Sequence, residues 1–288
     1  MEDIRKIKVT LKSRPTFEGA GVRLKRAFGY ADPSLDPFLL LDDFHSENPN
    51  DYIAGFPWHP HRGIETITYM LHGNIEHGDS LGNGGVIGAG DVQWMTAGSG
   101  IIHQEMPKKD KTDTLLWGFQ LWANLPASHK MMDPRYRDIE KDQIPEIFLD
   151  DNNVKIKVIC GEVDGIKGPV QDIVTEPEYL DVTLNPNSQY IHPVKKEHNV
   201  FTYIIEGEGF FDESKEELVP KETLVIYRDG SGVKITTKKE KVRFLLISGK
   251  PLRETVAWRG PIVMNTEEEL RIAFEEYHNK TFIKYRNK

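Results

Sequence analysis

Cysteine is almost missing from this chain: there is one, Cys160, among 288 residues. An intramolecular disulfide is therefore excluded. Cys160 lies in KVICGE, on an expected strand, where a lone thiol reads as a small buried apolar side chain, a redox role being the alternative. Long apolar runs are missing too. No stretch approaches the roughly 18 uninterrupted apolar residues of a membrane-spanning helix, and the opening MEDIRKIKVTLKSRP has no apolar leader core. The expectation is no membrane association and a cytoplasmic protein, nuclear as well if the cell has a nucleus. Positive charge is not in excess: 37 Lys and Arg stand against 45 Asp and Glu, a net charge of −8. That balance opposes direct, non-specific binding to nucleic acid.

Helical periodicity is equally scarce. One segment near the C-terminus, NTEEELRIAFEEYHNK, reads as a helix, with Thr266 as N-cap, acidic residues in the first turn, and Leu270, Ile272, Phe274 and Tyr277 as an imperfect apolar face. Elsewhere short runs rich in Val, Ile, Thr, Tyr and Phe recur, each closed by Gly, Asp or Asn; ETITYMLHG, DVQWMTAG, LLWGFQLWANL, VFTYIIEGEG and VRFLLISG are examples. This rhythm predicts an all-β sandwich or barrel. TYMLHG at residues 68–73 returns as TYIIEG at 202–207, an offset of 134 (202 minus 68), so two similar halves and a duplicated barrel are expected. The charged, proline-containing stretch SHKMMDPRYRDIEKDQIPEIFLDDN lacks period-2 alternation and reads as the crossover. The expected domains are 1–135 and 136–288, with the helix in the second.

Two short motifs carry the chemistry. In an extended strand, residues i and i+2 share a face. His59 and His61 in FPWHPHRG therefore project together, as do His103 and Glu105 in IIHQEMP, on another strand. If both strands face the inside of a small barrel, three imidazoles and a carboxylate converge. Such a nitrogen and oxygen set suits iron, manganese, nickel, cobalt, copper or zinc better than calcium or an iron–sulfur cluster. Glu65 lies four residues beyond His61 and could be a fifth ligand or an acceptor that orients an imidazole, unless a bulge at Gly63 breaks the parity.

HPHRGIET, then QWMTAGSGIIHQE, then AWRGPIVMNT, in that order, resemble the pirin family of bicupins, and the likeness runs from GAGVRLKRAFG and LDPFLLLDDF to the C-terminal helix. The resemblance implies two cupin-type β-barrels packed in one chain. His59, His61, His103 and Glu105 match the family's metal ligands one by one, with iron(II) the expected ion. The second half departs from this pattern. His192 and His198 are six residues apart, and the late strand TLVIYRDGSGVKI has no histidine, so that barrel is expected to lack a metal site and to be structural.

Pirin-like bicupins are similar to quercetin 2,3-dioxygenases. That likeness implies a metal-dependent dioxygenase acting on a small aromatic substrate, a flavonol such as quercetin, and on dioxygen. Glu105 would be the catalytic base that takes the substrate hydroxyl proton, and ring cleavage would release carbon monoxide and a depside ester. Asp43, Phe44, Trp94 and Met95 are candidates for the pocket wall, each equally readable as core or turn. His77, in the Gly-rich NIEHGDSLGNGG, reads as a solvated or supporting histidine. The alternative is a metal-containing regulatory module that binds a protein partner. Arg23, Lys25 and Arg26 could offer it a contact, or form the solvated face of an edge strand. Cupins also include isomerases and oxalate-type decarboxylases, so fold alone does not fix the reaction.

Overall fold

A computed structural model describes residues 3–109 and 113–284. Nearly all of its regular structure is β. The chain forms two compact units, and both are interleaved in sequence.

One unit carries the two motifs and comprises residues 14–31, 38–141 and 253–284 of the described chain. Its main sheet has seven antiparallel strands, in the order Arg135–Ile139, Val92–Thr96, Ile64–His72, Leu116–Asn124, Phe38–Ser46, Val22–Gly29 and Arg14–Glu18. A second sheet of four strands runs Phe56–His61, Ile101–Lys108, Asn74–Asp79 and Gly84–Ile87. The near-continuous burial of Ile64–His72 and Val92–Thr96 marks strands covered on both faces. Ile101–Lys108 instead alternates fully and partly buried residues, as a strand with one face to an interior should.

The other unit comprises residues 3–13, 32–37 and 142–252. Its sheet follows the order Ile7–Lys12, Thr223–Tyr227, Asn199–Gly209, Val242–Gly249, Glu178–Leu184, Val154–Cys160 and Glu146–Leu149. The repeated hexamers occupy the same third place in the two orders, which makes the duplication visible in the topology. Cys160 is buried, its thiol donating to the carbonyls of Val170 and Pro177 at 3.3 Å.

The structure corrects three expectations. A cut at residue 135 misassigns both ends of the chain. Residues 7–12 pair with Thr223–Tyr227, and the segment from 253 onward, helix included, belongs with the motif-bearing unit. The supposed crossover contains two edge strands, Arg135–Ile139 and Glu146–Leu149. The helix, Glu267–His278, has the capping box of Thr266 and Glu269, but it buries Leu270 and Ala273 while Ile272 and Tyr277 are exposed. Among the described residues no helix is long and apolar enough to cross a membrane.

Candidate metal centre

Two antiparallel pairings gather the histidines. In the first, His103 lies opposite His59 and Ile101 opposite His61. In the second, His103 lies opposite Asp79 and Glu105 opposite His77. The ligand nitrogens of His59, His61 and His103 all lie within 4.8 Å of one another.

Hydrogen bonding decides which nitrogen each imidazole presents. Nδ1 of His59 sits 2.9 Å from the carbonyl of Pro57, and Nδ1 of His61 sits 3.0 Å from that of Pro261. A carbonyl only accepts, so both Nδ1 atoms carry hydrogen, and in the neutral rings both Nε2 atoms present a bare lone pair. Yet these two Nε2 atoms are 3.0 Å apart. Nε2 of His103 is buried without a hydrogen-bond partner. A cation among the three nitrogens removes the lone-pair repulsion and the unsatisfied atom together, and an all-imidazole cluster suits a divalent transition metal. Burial pushes His61 and His103 well below the usual histidine range, His61 being lowered further by His59, and His103 by His61 and His59. Both are thereby kept in the neutral form that binds metal.

Glu105 lies beside the cluster and is not part of its tightest set. Its Oε1 accepts from Thr68 Oγ1 at 2.9 Å, and the same hydroxyl lies 2.8 Å from Gln120 Oε1. Burial raises its affinity for a proton above that of an ordinary glutamate, opposed by His59, the Thr68 bond and His77.

A cavity of about 990 Å³ is lined by His59, His61, Glu105, Thr68 and Gln120, and its apolar walls include Leu24, Leu40, Phe44, Phe56, Trp122 and Trp258. The Trp122 ring meets His61 edge-on at 5.1 Å and Trp258 at 5.9 Å. Arg26 also reaches this wall, forked onto both oxygens of Asp42 at 2.8 and 2.7 Å and paired with Glu18 at 2.8 Å.

Family models match both halves of the chain: pirin over residues 21–123 and the pirin C-terminal cupin domain over residues 179–283. The chain belongs to the pirin family. Pirin-like protein 2 of Arabidopsis thaliana is 43% identical over 268 residues, covering 91% of this chain and 80% of that protein. Pirin of Homo sapiens is 39% identical over 284 residues, covering 97% and 94%. Among solved structures, quercetin 2,3-dioxygenase from Acinetobacter baumannii is 31% identical with a TM-score of 0.89, covering 97% of this chain and 98% of that one. The bicupin fold expected from the motifs is the fold of this pirin-family chain.

Several residues singled out in the sequence lie elsewhere. Gly63, at φ +78°, ends one strand before Ile64–His72 begins in the other sheet, so Glu65 loses parity with His61. Its buried carboxylate accepts from Trp94 Nε1 at 3.1 Å and Thr96 Oγ1 at 2.7 Å, and orients no imidazole. Trp94 is thereby a core residue, as is Met95, packed with Leu39 and Ile64; neither lines the cavity. Asp43 accepts from Trp117 Nε1 at 3.2 Å, and its neighbour Asp42 faces the cavity instead, while Phe44 does line it. His77 is not solvated: it is buried on a strand and bonded to the Tyr136 hydroxyl. Arg23 and Lys25 lie on the strand next to the edge, the edge being Arg14–Glu18. His192 bridges Tyr190 at 2.8 Å and Glu178 at 2.9 Å, whereas Nε2 of His198 has no partner.

Thr68, Gln120, Pro261 and Trp258 escaped the sequence reading. Gln120 had a signal, a polar residue inside the apolar run LLWGFQLW. The contribution of Pro261 had none, because a backbone carbonyl leaves no trace in residue type.

Proposed function

We propose that this chain is a metal-dependent dioxygenase that cleaves flavonols such as quercetin, with dioxygen as co-substrate. One divalent transition metal, iron(II) by the family resemblance, is held by His59, His61, His103 and Glu105. The observation that carries the reading is the convergence of three imidazoles at an aromatic-walled cavity, the Nε2 atoms of His59 and His61 only 3.0 Å apart and that of His103 without a hydrogen-bond partner. The likeness to the Acinetobacter quercetin 2,3-dioxygenase adds the substrate class. When bound, such an ion supplies a Lewis-acid and redox centre for the reaction of an electron-rich ring with dioxygen.

The chain's own residues do the rest. Phe44, Phe56, Trp122 and Trp258 give a flat substrate apolar surface, the ordinary composition of a small-molecule site. Glu105, whose proton affinity is raised by burial, takes the hydroxyl proton of the substrate onto a carboxylate oxygen. Thr68, itself within reach of Gln120, restricts how that carboxylate turns. No direct role for nucleic acid or membrane enters the reading.

Iron-loaded protein should bleach the quercetin absorbance with matching oxygen uptake. Glu105→Gln, at saturating metal, should lower the rate about 10²- to 10⁴-fold, because an amide cannot take the proton. Glu65→Gln should leave the rate near wild type and cost about 1–3 kcal/mol of stability, since it disturbs the bonds to Trp94 and Thr96. No turnover with any of several divalent metals, together with metal-dependent capture of a protein partner, would replace this reading with that of a regulatory binding module.

A further inference from the structure

His61 is not oriented by its own sheet. The carbonyl that fixes its Nδ1 belongs to Pro261, 200 residues further along the chain. Pro261 lies between two short strands, Ala257–Arg259 and Ile262–Met264, that lead into the C-terminal helix. The orientation of a candidate metal ligand thus depends on what holds this distant segment in place.

The residues that follow His61 hold it. Arg62 forms a parallel bridge with Ile262, and the N–H of Val263 donates to the Arg62 carbonyl at 3.1 Å. Gly63 has no room for a side chain, since a Cβ there would lie 1.9 Å from the Val263 carbonyl oxygen. Two buried basic side chains then grip the segment on either side of the helix. Lys130 Nζ donates to Val263 O at 3.1 Å, Gly63 O at 2.9 Å and Asn124 Oδ1 at 2.6 Å. Arg62 reaches past the helix: Nε donates to Ser99 O at 2.8 Å, Nη2 donates to Phe282 O at 2.9 Å and pairs with Glu276 at 2.8 Å, and the guanidinium lies 4.2 Å from the Phe282 ring centre.

Burying groups of this kind is costly, and apolar residues of similar volume can hold a helix in place as well. What the fixed fork of arginine adds is direction. Two of the acceptors gripped here, the carbonyls of Val263 and Phe282, belong to the C-terminal segment that bears Pro261, as does the Glu276 carboxylate.

We propose that Arg62 and Lys130 are positioning residues for the metal site: they lock the C-terminal segment so that the Pro261 carbonyl holds His61 with Nε2 aimed at Nε2 of His59. The proposal rests on the reading that the three imidazoles bind a metal. Its test therefore includes a measurement on metal-free protein.

In metal-free wild type, the Nδ1–H of His61 should appear by nitrogen-15 NMR as a protected imidazole proton. In Arg62→Gln that proton should exchange at least about tenfold faster. Cobalt(II) affinity, measured by chelator competition, should fall about 10- to 100-fold, the usual cost of losing a group that orients a ligand. Arg62→Lys, which keeps the charge without the fork, should fall between. If Arg62→Gln does not fold, Lys130→Met and Glu276→Gln carry the test with the same two readouts. Folded variants with an unchanged imidazole proton and unchanged cobalt affinity overturn the proposal. A wild type that binds no cobalt overturns the metal reading instead, and the imidazole proton still decides whether Arg62 positions His61.

Discussion

The main sheets of the two units place their repeated hexamers at the same point in the strand order, yet the units around them differ inside. In the unit built mainly from residues 142–252, one large cluster fills the interior, with Tyr190, Phe211, Tyr227 and Phe244 among its members. The motif-bearing unit instead keeps a cavity of about 990 Å³, walled in part by Phe44, Phe56, Trp122 and Trp258. Strand pairings show the same contrast. Phe56–His61 sets His59 opposite His103, whereas Gln189–Pro193 sets His192 opposite Val233. His192 then spends both ring nitrogens on Tyr190 and Glu178. The comparison teaches that one strand order can enclose either a packed apolar interior or a cavity faced by histidines; in the packed unit His192 is absorbed into hydrogen bonds, while Nε2 of His198 has none.

The sharpest way to break this comparison is metal analysis. Wild type loaded without oxygen should hold close to one equivalent per chain. His103→Ala should hold almost none, and His192→Ala should match wild type. Two tight equivalents in wild type, with one surviving in His103→Ala, would show that the filled unit binds metal after all.

A smaller effect is expected from the packing itself. Phe244 is fully buried in the large cluster and meets Phe211 edge-on at 5.3 Å. Phe244→Ala should cost about 3–5 kcal/mol in denaturant unfolding, with the metal content of the remaining folded protein unchanged. A variant that lost metal in proportion to stability would mean that the two interiors are not independent.

The smallest effect lies with Lys130, lowered by burial to about 7 from an ordinary 10.5, with Glu254 and Glu269 opposing the shift. Between those two values the unfolded chain binds more protons at this residue than the folded one. Its contribution therefore makes stability rise with pH across that window and leaves it flat below 7 and above 10.5. Denaturant midpoints of wild type and Lys130→Met at pH 7 and pH 10 give the difference. A wild-type advantage that shrinks as pH rises would contradict the direction.

The parts of the fold that depend on local pattern were legible. Period-2 alternation and turn glycines marked the strands, Thr266 marked the helix start, and the spacing of His59 with His61 gave two members of the cluster. Faces were harder to read. Trp94 and Met95 sit in a strand buried on both sides, where alternation cannot say which side holds a cavity. Glu65 was displaced by the turn at Gly63, because a positive φ moves the chain into another sheet and resets parity. Least legible were the contributions of distant segments: residues 7–12 in one sheet, and Trp258 and Pro261 at the site, are joined to their partners by contacts that no local pattern encodes.

The hydrogen bond from His61 to Pro261 also sets an order in time. A chain made from its N-terminus exposes His59, His61 and His103 long before residue 261 leaves the ribosome, and domains generally begin to fold as they emerge. Through that interval His61 lacks the acceptor that selects its tautomer, and Arg62 lacks Phe282 and Glu276. The interleaving thus delays the site: the imidazole cluster takes this hydrogen-bonded form only once residues 261–282 are present to complete it.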